Sequence, residues 1–493
     1  MTENSSYKEI YKSTFLFSFV KVFQILIGIL KNKVIAILLG PEGVGIIGIL
    51  MNTVNLLQTG GGLGISRSAV RDISEANGSG NSAKFSRIIS LTNRVILFTC
   101  LLGFIVTVFL SPVLSQWTFG DKNYTVSYLW LALVVGLNIL TEGQLAILMG
   151  MRQLRALAKA SMIGSIVGLI TTIPLYYIFG KTGIVPGLII TAFSAVFFSN
   201  YFVRKIKYDK TTITLKQISK EASPMVRMGV ALMFVGFLGL AFNLIIVAYI
   251  RSCGGLADVG LYQAGTTIIA SYFGVVLTAM TTDYYPRIST VHNDNVKLQD
   301  ELNRQSEVGL ILIFPIAVLF VFLSPILIKI LYSSEFLQTI TYTDYAILGT
   351  ILVVCSNSLG MILLAKQDAK TFTLYSLLHQ LVFLPIYIFF YTYYALLGLG
   401  IVFLINVSVQ FLAYILINRF KYNICFKRKL YKQLLLVFSA VLLTIIVRKI
   451  DDYLIKYLLG GSIFIFSCLY SYSSIRNEMN INPFHYIRNK LKL

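Results

Sequence analysis

Residues Thr14–Ile49 read TFLFSFVKVFQILIGILKNKVIAILLGPEGVGIIGI, and the fold follows from how this stretch is read. An apolar run long enough to cross about 30 Å of hydrocarbon ends at Gly40-Pro41-Glu42-Gly43, and a second begins at Val44. The pattern predicts two membrane-spanning helices joined by a tight turn. Lys21, Lys31 and Lys33 interrupt the first run. A charge at the centre of a membrane helix costs about 2.5 to 3.5 kcal/mol on insertion scales, so such cations face a wet cavity or snorkel to an interface.

The rest of the chain continues the pattern. Of its 493 residues 56% are hydrophobic and 13% charged, and the mean hydropathy is +0.76. A soluble domain carries about 25% charge. The composition therefore predicts an all-α polytopic membrane protein, since lipid cannot satisfy the open backbone groups of irregular chain or unpaired strands. Apolar windows predict about fourteen transmembrane helices, the last two at Gln433–Val447 and Leu454–Tyr470. Cys100, Cys253, Cys355, Cys425 and Cys468 are isolated and read as reduced structural residues. No metal or cofactor is expected, because no ligand spacing is present.

The net charge of +21 would suggest nucleic acid in a soluble chain. Placing the N-terminus in the cytoplasm puts most Lys and Arg on that side, including Arg67, Arg71, Arg152, Lys205, Arg287, Lys366 and Arg428. Few basic residues, among them Lys122, Lys181, Arg251 and Arg448, fall outside. The charge is thus an orientation signal with both termini cytoplasmic, and nucleic-acid binding is not needed to explain it. Outer loops are short, and the connections after the second, sixth and eighth spans exceed about 20 residues, a length that calls for explanation.

Short motifs recur in order. Phe109-Leu110-Ser111-Pro112 returns as Phe322-Leu323-Ser324-Pro325, an offset of 213. Glu42-Gly43-Val44-Gly45 resembles Ala257-Asp258-Val259-Gly260 at an offset of 215, Arg152-Gln153 resembles Lys366-Gln367 at 214, and Gly183-Ile184-Val185 resembles Gly400-Ile401-Val402 at 217. Collinear matches at a nearly constant offset predict two pseudo-symmetric six-helix lobes. The expected domains are residues 1–207 and 227–421 as the lobes, a cytoplasmic linker at 208–226, and an extra helical hairpin with a basic tail at 422–493.

The segments LLGPEGVGIIGI (38–49), GGGLGISRSAVRDISEAN (60–77), LAILMGMRQLRALAKASMIGSIVG (145–168) and DVGLYQAGTTI (258–268), the last continued by YYPRIS (284–289), resemble the O-antigen translocase family. These Wzx-type flippases of lipid-linked oligosaccharides belong to the MOP superfamily, with the MATE exporters and the lipid II flippase. The resemblance implies a V-shaped pair of lobes and alternating access. It also implies a multi-pass protein of the bacterial inner membrane that moves an undecaprenyl-pyrophosphate-linked sugar unit from the cytoplasmic to the outer leaflet. Membrane lipids and the polysaccharide polymerase machinery are its expected partners, and a monomer its expected state. The appended hairpin departs from the usual twelve helices of such flippases and is similar to the fourteen-helix lipid II branch.

A diphosphate headgroup needs cations in a wet cavity. At 100° per residue, Lys21 and Lys31 project within about 80° of each other, while Lys31 and Lys33 differ by about 200°. One of the two late lysines is expected to face the cavity, Lys31 by its likeness to a cation of lipid II flippases or Lys33 by its likeness to Wzx-type proteins; the alternative is that Lys31, roughly 26 Å above Thr14 and near the far interface, only snorkels. Arg67 and Arg71, after the glycines at 60–62 and 64, either catch the headgroup or serve only as orientation charges. Glu142 is an embedded carboxylate with three open roles: ion pair to a first-span lysine, proton coupling, or a structural contact. Asn243 and Gln263 line the corresponding second-lobe helices without a cation. Asp258, Asp283 and Asp344 lie near span ends and are read as solvated. Two rivals remain, a MATE-like exporter of cationic drugs, which wants carboxylates in the first and seventh spans, and a membrane polysaccharide polymerase or ligase, which wants a sizeable outer loop.

Overall fold

A single unusual backbone conformation marks where spans fold back. The computed structural model describes residues 3–78, 81–206, 208–209 and 215–479, all helices and their connections. Side chains before Phe23, Lys21 among them, and the tail after Met479 lie outside the described residues. Helix α1 (Glu3–Gly61) is broken at Gly40, with φ 63° and ψ −171°. There Gly lacks the Cβ that makes this conformation strained, and Pro41 cannot donate the hydrogen bond that would continue the helix. The expected turn is therefore present.

Helices α2 (Ile65–Gly78), α3 (Ser82–Phe119), α4 (Thr125–Gly150), α5 (Leu154–Phe179), α6 (Ile184–Val203) and α7 (Leu215–Thr267) follow. A π-helical turn at Ile268–Phe273 leads into α8 (Gly274–Thr290), then α9 (Asn295–Leu331), α10 (Thr339–Ala365), α11 (Ala369–Tyr422), α12 (Arg428–Arg448) and α13 (Tyr453–Met479). Among the described residues, ten apolar helical runs are long enough to span a membrane. Four of these, Phe23–Gly61, Leu154–Val203, Gly236–Thr278 and Ala369–Tyr422, are 39 to 54 residues long. Each contains a break, at Gly40, Gly180, Gly255 and Ala395 respectively.

These breaks repeat. Gly255 (φ 81°, ψ −174°) matches Gly40, and Ala395 (φ 48°, ψ −134°) matches Gly180 (φ 55°, ψ −131°). Arg152 (φ 57°) and Gln367 (φ 58°) form a third pair. The local hydrogen bonds agree: Met151 N donates to Ile147 O and Gln153 N to Leu148 O, while Lys366 N donates to Ile362 O and Asp368 N to Leu363 O. The offset in all three pairs is 215, so the register is Arg152 to Gln367, one residue from the sequence alignment. Gly183 likewise corresponds to Gly398, since a Cβ on either would strike the carbonyl of Leu175 or Phe390, eight residues earlier. The pseudo-symmetry is thus carried by the backbone.

Residue contacts divide the chain into two units, Met1–Gly260 and Leu261–Leu493. In the first, α4 is the most buried span. The hydroxyl of its buried Tyr128 meets Thr118 Oγ1 at 2.7 Å and Thr53 Oγ1 at 3.3 Å, tying α1, α3 and α4 together. In the second, α10 is the most buried span, and its buried Tyr342 packs edge-on against Tyr262 at 5.4 Å.

Three expectations change on contact with the structure. The long connection after the second span is largely the helix α2, whose Ile65, Ala69, Ile73 and Ala76 are buried beside α3 and α4. The connection after the eighth span is short, because α8 runs to Thr290 and α9 starts at Asn295. Arg287 donates to Glu301 Oε2 at 2.6 Å and to Gln305 Oε1 at 2.8 Å, so polar pairing prolongs both helices. Asp344 is not solvated: it is 5% exposed and receives both arms of Arg448, Nη1 at 2.8 Å and Nη2 at 2.5 Å. Arg448 also donates to Ser324 Oγ at 2.6 Å, which fastens α12 to α9 and α10.

Candidate functional site

The first unit gathers most of the candidate residues. On the first arm of α1, the exposed apolar residues are Leu26, Leu30 and Ile37, whereas Ile35, Ala36 and Leu39 are buried. At 100° per residue, Lys33 falls within about 60° of each exposed residue, and Lys31 falls about 40° from Ile35 and about 100° or more from the exposed stripe. Both lysines are half-buried. They occupy different faces, Lys33 on the open apolar one and Lys31 on the flank of the packed one.

The second arm of α1 carries polar groups the sequence reading passed over. Asn52 Oδ1 accepts from Asn243 Nδ2 of α7 at 3.3 Å, within the first unit. Gln58 hydrogen-bonds the carboxylate of Glu142, and Arg67 lies within electrostatic reach of it. Glu142 is exposed at the protein surface and sits with this amide and this arginine. Asn52, Asn55 and Gln58 recur at spacings of three. That spacing within an apolar run was the signal that could have found them.

Arg67 and Arg71 are exposed on α2, opposite its buried stripe. Arg71 is engaged by Asp72 at 3.0 Å and by Met228 Sδ at 2.8 Å. Further along α2, Glu75 pairs with Lys84 at 2.9 Å. The hydrogen bond from Lys84 holds the Glu75 carboxyl below its usual range. Near the start of α7, Glu221 pairs with Arg87 of α3, whose hydrogen bond lowers the Glu221 carboxyl likewise. Gln263 lies half-buried in the second unit.

Two glycine crossings hold α1 against α7. A Cβ on Gly45 would lie 2.0 Å from the Leu256 carbonyl oxygen, and one on Gly260 would lie 1.9 Å from that of Pro41. Gly45 and Gly260, like Pro41 and Leu256, are 215 residues apart, so the crossing is symmetric. Just past α1, a Cβ on Gly64 would lie 2.1 Å from Gly229 O, and one on Gly229 would lie 2.4 Å from Leu63 O. The missing side chains of Gly64 and Gly229 permit this close backbone contact. Among the described residues no group of three His, Cys, Asp or Glu could hold a metal ion, and all five cysteines are free.

The fold is similar to those of solved membrane transporters. A lipid II flippase, MurJ, in an inward closed conformation superposes with a TM-score of 0.68 at 17% identity, covering 95% of this chain and 100% of that one. An inward-facing multidrug resistance MATE family transporter of the MOP superfamily gives 0.63 at 15% identity, covering 84% and 99%. A MOP superfamily transporter from Pyrococcus furiosus gives 0.58 at 16%, covering 83% and 95%. The chain belongs to the polysaccharide biosynthesis protein family, whose model matches residues 34–341, more than half of its length. No curated protein matches it by sequence.

Proposed function

We propose that the chain is a flippase for a polyprenyl-pyrophosphate-linked oligosaccharide, an O-antigen or similar surface-polysaccharide unit. It carries the unit from the cytoplasmic to the outer leaflet of the bacterial inner membrane by alternating access. In this reading the four broken runs each cross twice, giving fourteen crossings with both termini cytoplasmic, and the protein works as a monomer beside the polymerase machinery.

The observation that carries the proposal, together with family membership, is Lys31. It is half-buried within a membrane-spanning run and turned away from the apolar stripe that lipid would cover. Lys31 supplies a cation for the pyrophosphate, while Lys33, on the open stripe, snorkels. Glu142, Gln58 and Arg67 form a second polar station. An inside-negative potential contributes about 2.3 kcal/mol per charge per 100 mV to outward movement of an anionic headgroup. A cation exporter wants carboxylates on the first span, and the described run from Phe23 to Leu39 carries lysines as its charged residues.

Reconstitution with a fluorescent undecaprenyl-pyrophosphate glycan tests the reading. Lys31→Ala is expected to slow flipping at least tenfold and Lys33→Ala less than threefold, with Glu142→Gln in between. Unchanged flipping in both lysine variants overturns the cavity assignment. Efflux of a cationic dye without lipid movement points to an exporter, and elongation of the glycan without flipping points to an enzyme.

A further inference from the structure

A groove in the first unit, whose lining does not include Lys31 or Lys33, has the chemistry of a lipid site. It has a volume of about 590 Å³ and is walled by Leu50 of α1, Val126 and Trp130 of α4, and Pro186, Ile189 and Ile190 of α6. That size falls in the range of small-molecule sites. Val126, Trp130 and Ile190 are exposed, so the wall opens laterally where hydrocarbon would lie. At one end stand Tyr124, Lys181 and Thr182.

This end is charged in a balanced way. Lys181 Nζ pairs with Glu42 Oε2, and the two side chains are 50% and 54% exposed, so both charges remain available. Arg251 pairs with Asp121 at 3.8 Å, and all four charges act on Tyr124. The four charges that act on Tyr124 are two cations and two carboxylates, and they balance. An anionic headgroup arriving there meets Lys181 and Arg251 but is opposed by Glu42 and Asp121. A diphosphate, with about twice the charge, doubles attraction and repulsion alike and so gains no net advantage at a balanced mouth. A phosphate joined to an ammonium satisfies both sides, the phosphate on Lys181 and the ammonium on Glu42.

We propose that this groove binds a zwitterionic glycerophospholipid with a phosphoethanolamine headgroup, an acyl chain lying along Trp130 and Ile189 and the headgroup exchanging into the Lys181–Glu42 pair. The reading of this site does not depend on which substrate the protein moves.

The chain has two tryptophans, Trp117 and Trp130, so Trp117→Phe leaves one reporter in the groove. Full-length protein in nanodiscs is titrated with phospholipids brominated on the acyl chain, and quenching of Trp130 is read. Phosphatidylethanolamine is expected to half-quench at a mole fraction at least threefold below phosphatidylglycerol. Glu42→Gln is expected to reverse that preference, because Lys181 is left unopposed. Lys181→Ala is expected to abolish it. Ile189→Trp, in a Trp117→Phe, Trp130→Phe background, is expected to report the same lipid order from the opposite wall. Equal quenching by the two lipids in the parent protein overturns the proposal, as does an unchanged preference in Glu42→Gln. Displacement of the brominated lipid by undecaprenyl phosphate more effectively than by phosphatidylethanolamine overturns it in favour of the cargo tail.

Discussion

Arg448 and Asp344 form a two-pronged ion pair with each side chain only 8% exposed, and it holds α12 to α10 within the second unit. Removing one partner from a buried pair leaves an uncompensated charge, at a cost of about 3 to 5 kcal/mol. Arg448→Met and Asp344→Leu are each expected to lower the unfolding temperature in detergent strongly. The double variant is expected to recover most of the loss, since two apolar groups leave no orphaned charge. A double variant no better than the singles contradicts this account.

The crossing of Gly45 and Gly260 has no room for a methyl group. Gly45→Ala or Gly260→Ala forces the backbones apart, and overpacking of this kind costs about 1 to 3 kcal/mol. Gly28 meets nothing within 4 Å, so Gly28→Ala serves as the control and is expected to cost nothing. Thermal unfolding of the three variants side by side checks the contrast.

Ala395 holds a backbone conformation that its counterpart Gly180 adopts without a Cβ. Strain at such a position is of order 1 to 3 kcal/mol. Ala395→Gly is expected to stabilise the protein by about 1 kcal/mol after the added entropy of glycine in the unfolded chain is subtracted. The reverse change, Gly180→Ala, is expected to destabilise although the space around Gly180 is open. Denaturation of both variants measures the difference.

Asp368 caps α11, accepting from Thr371 N at 3.4 Å, from the hydroxyl of Tyr422 at 2.6 Å and from Lys421 Nζ. The Lys421 hydrogen bond, then that of Tyr422, holds its carboxyl well below the usual range. A depressed carboxyl stabilises the fold above its unfolded value of about 3.9, and the contribution is lost as pH falls below that toward the lower folded value. Asp368→Asn is therefore expected to be less stable than the parent at pH 7. It should also show a shallower loss of stability below about pH 4, measured as unfolding temperature against pH.

Hydropathy made the spans legible, because a helix in lipid must satisfy its backbone internally, whatever its neighbours are. The turn at Gly40 was legible for a related reason, since glycine and proline act on their own backbone. Asp344 was not: its partner Arg448 lies on another helix, and nothing local distinguishes a carboxylate in water from one in a buried fork. Asn52 and Gln58 were overlooked because amides scattered through an apolar run acquire meaning only from Asn243 and Glu142 across the gap. The charges at Glu42, Asp121, Lys181 and Arg251 were visible as residues and invisible as a cluster.

The intervals between breaks imply a fixed gauge. Arg152 to Gly180 and Gln367 to Ala395 are the same length of chain, whereas Ser111 and Ser324 stand two residues closer than that register. The two residues lost between Gly255 and Ser324 relative to Gly40 and Ser111 are regained in the longer connection between α9 and α10, Leu331–Thr339, against Phe119–Thr125 between α3 and α4. A bilayer of constant thickness acts as the caliper: inserted residues survive where the chain is outside it, and a span between two breaks has no place to store them.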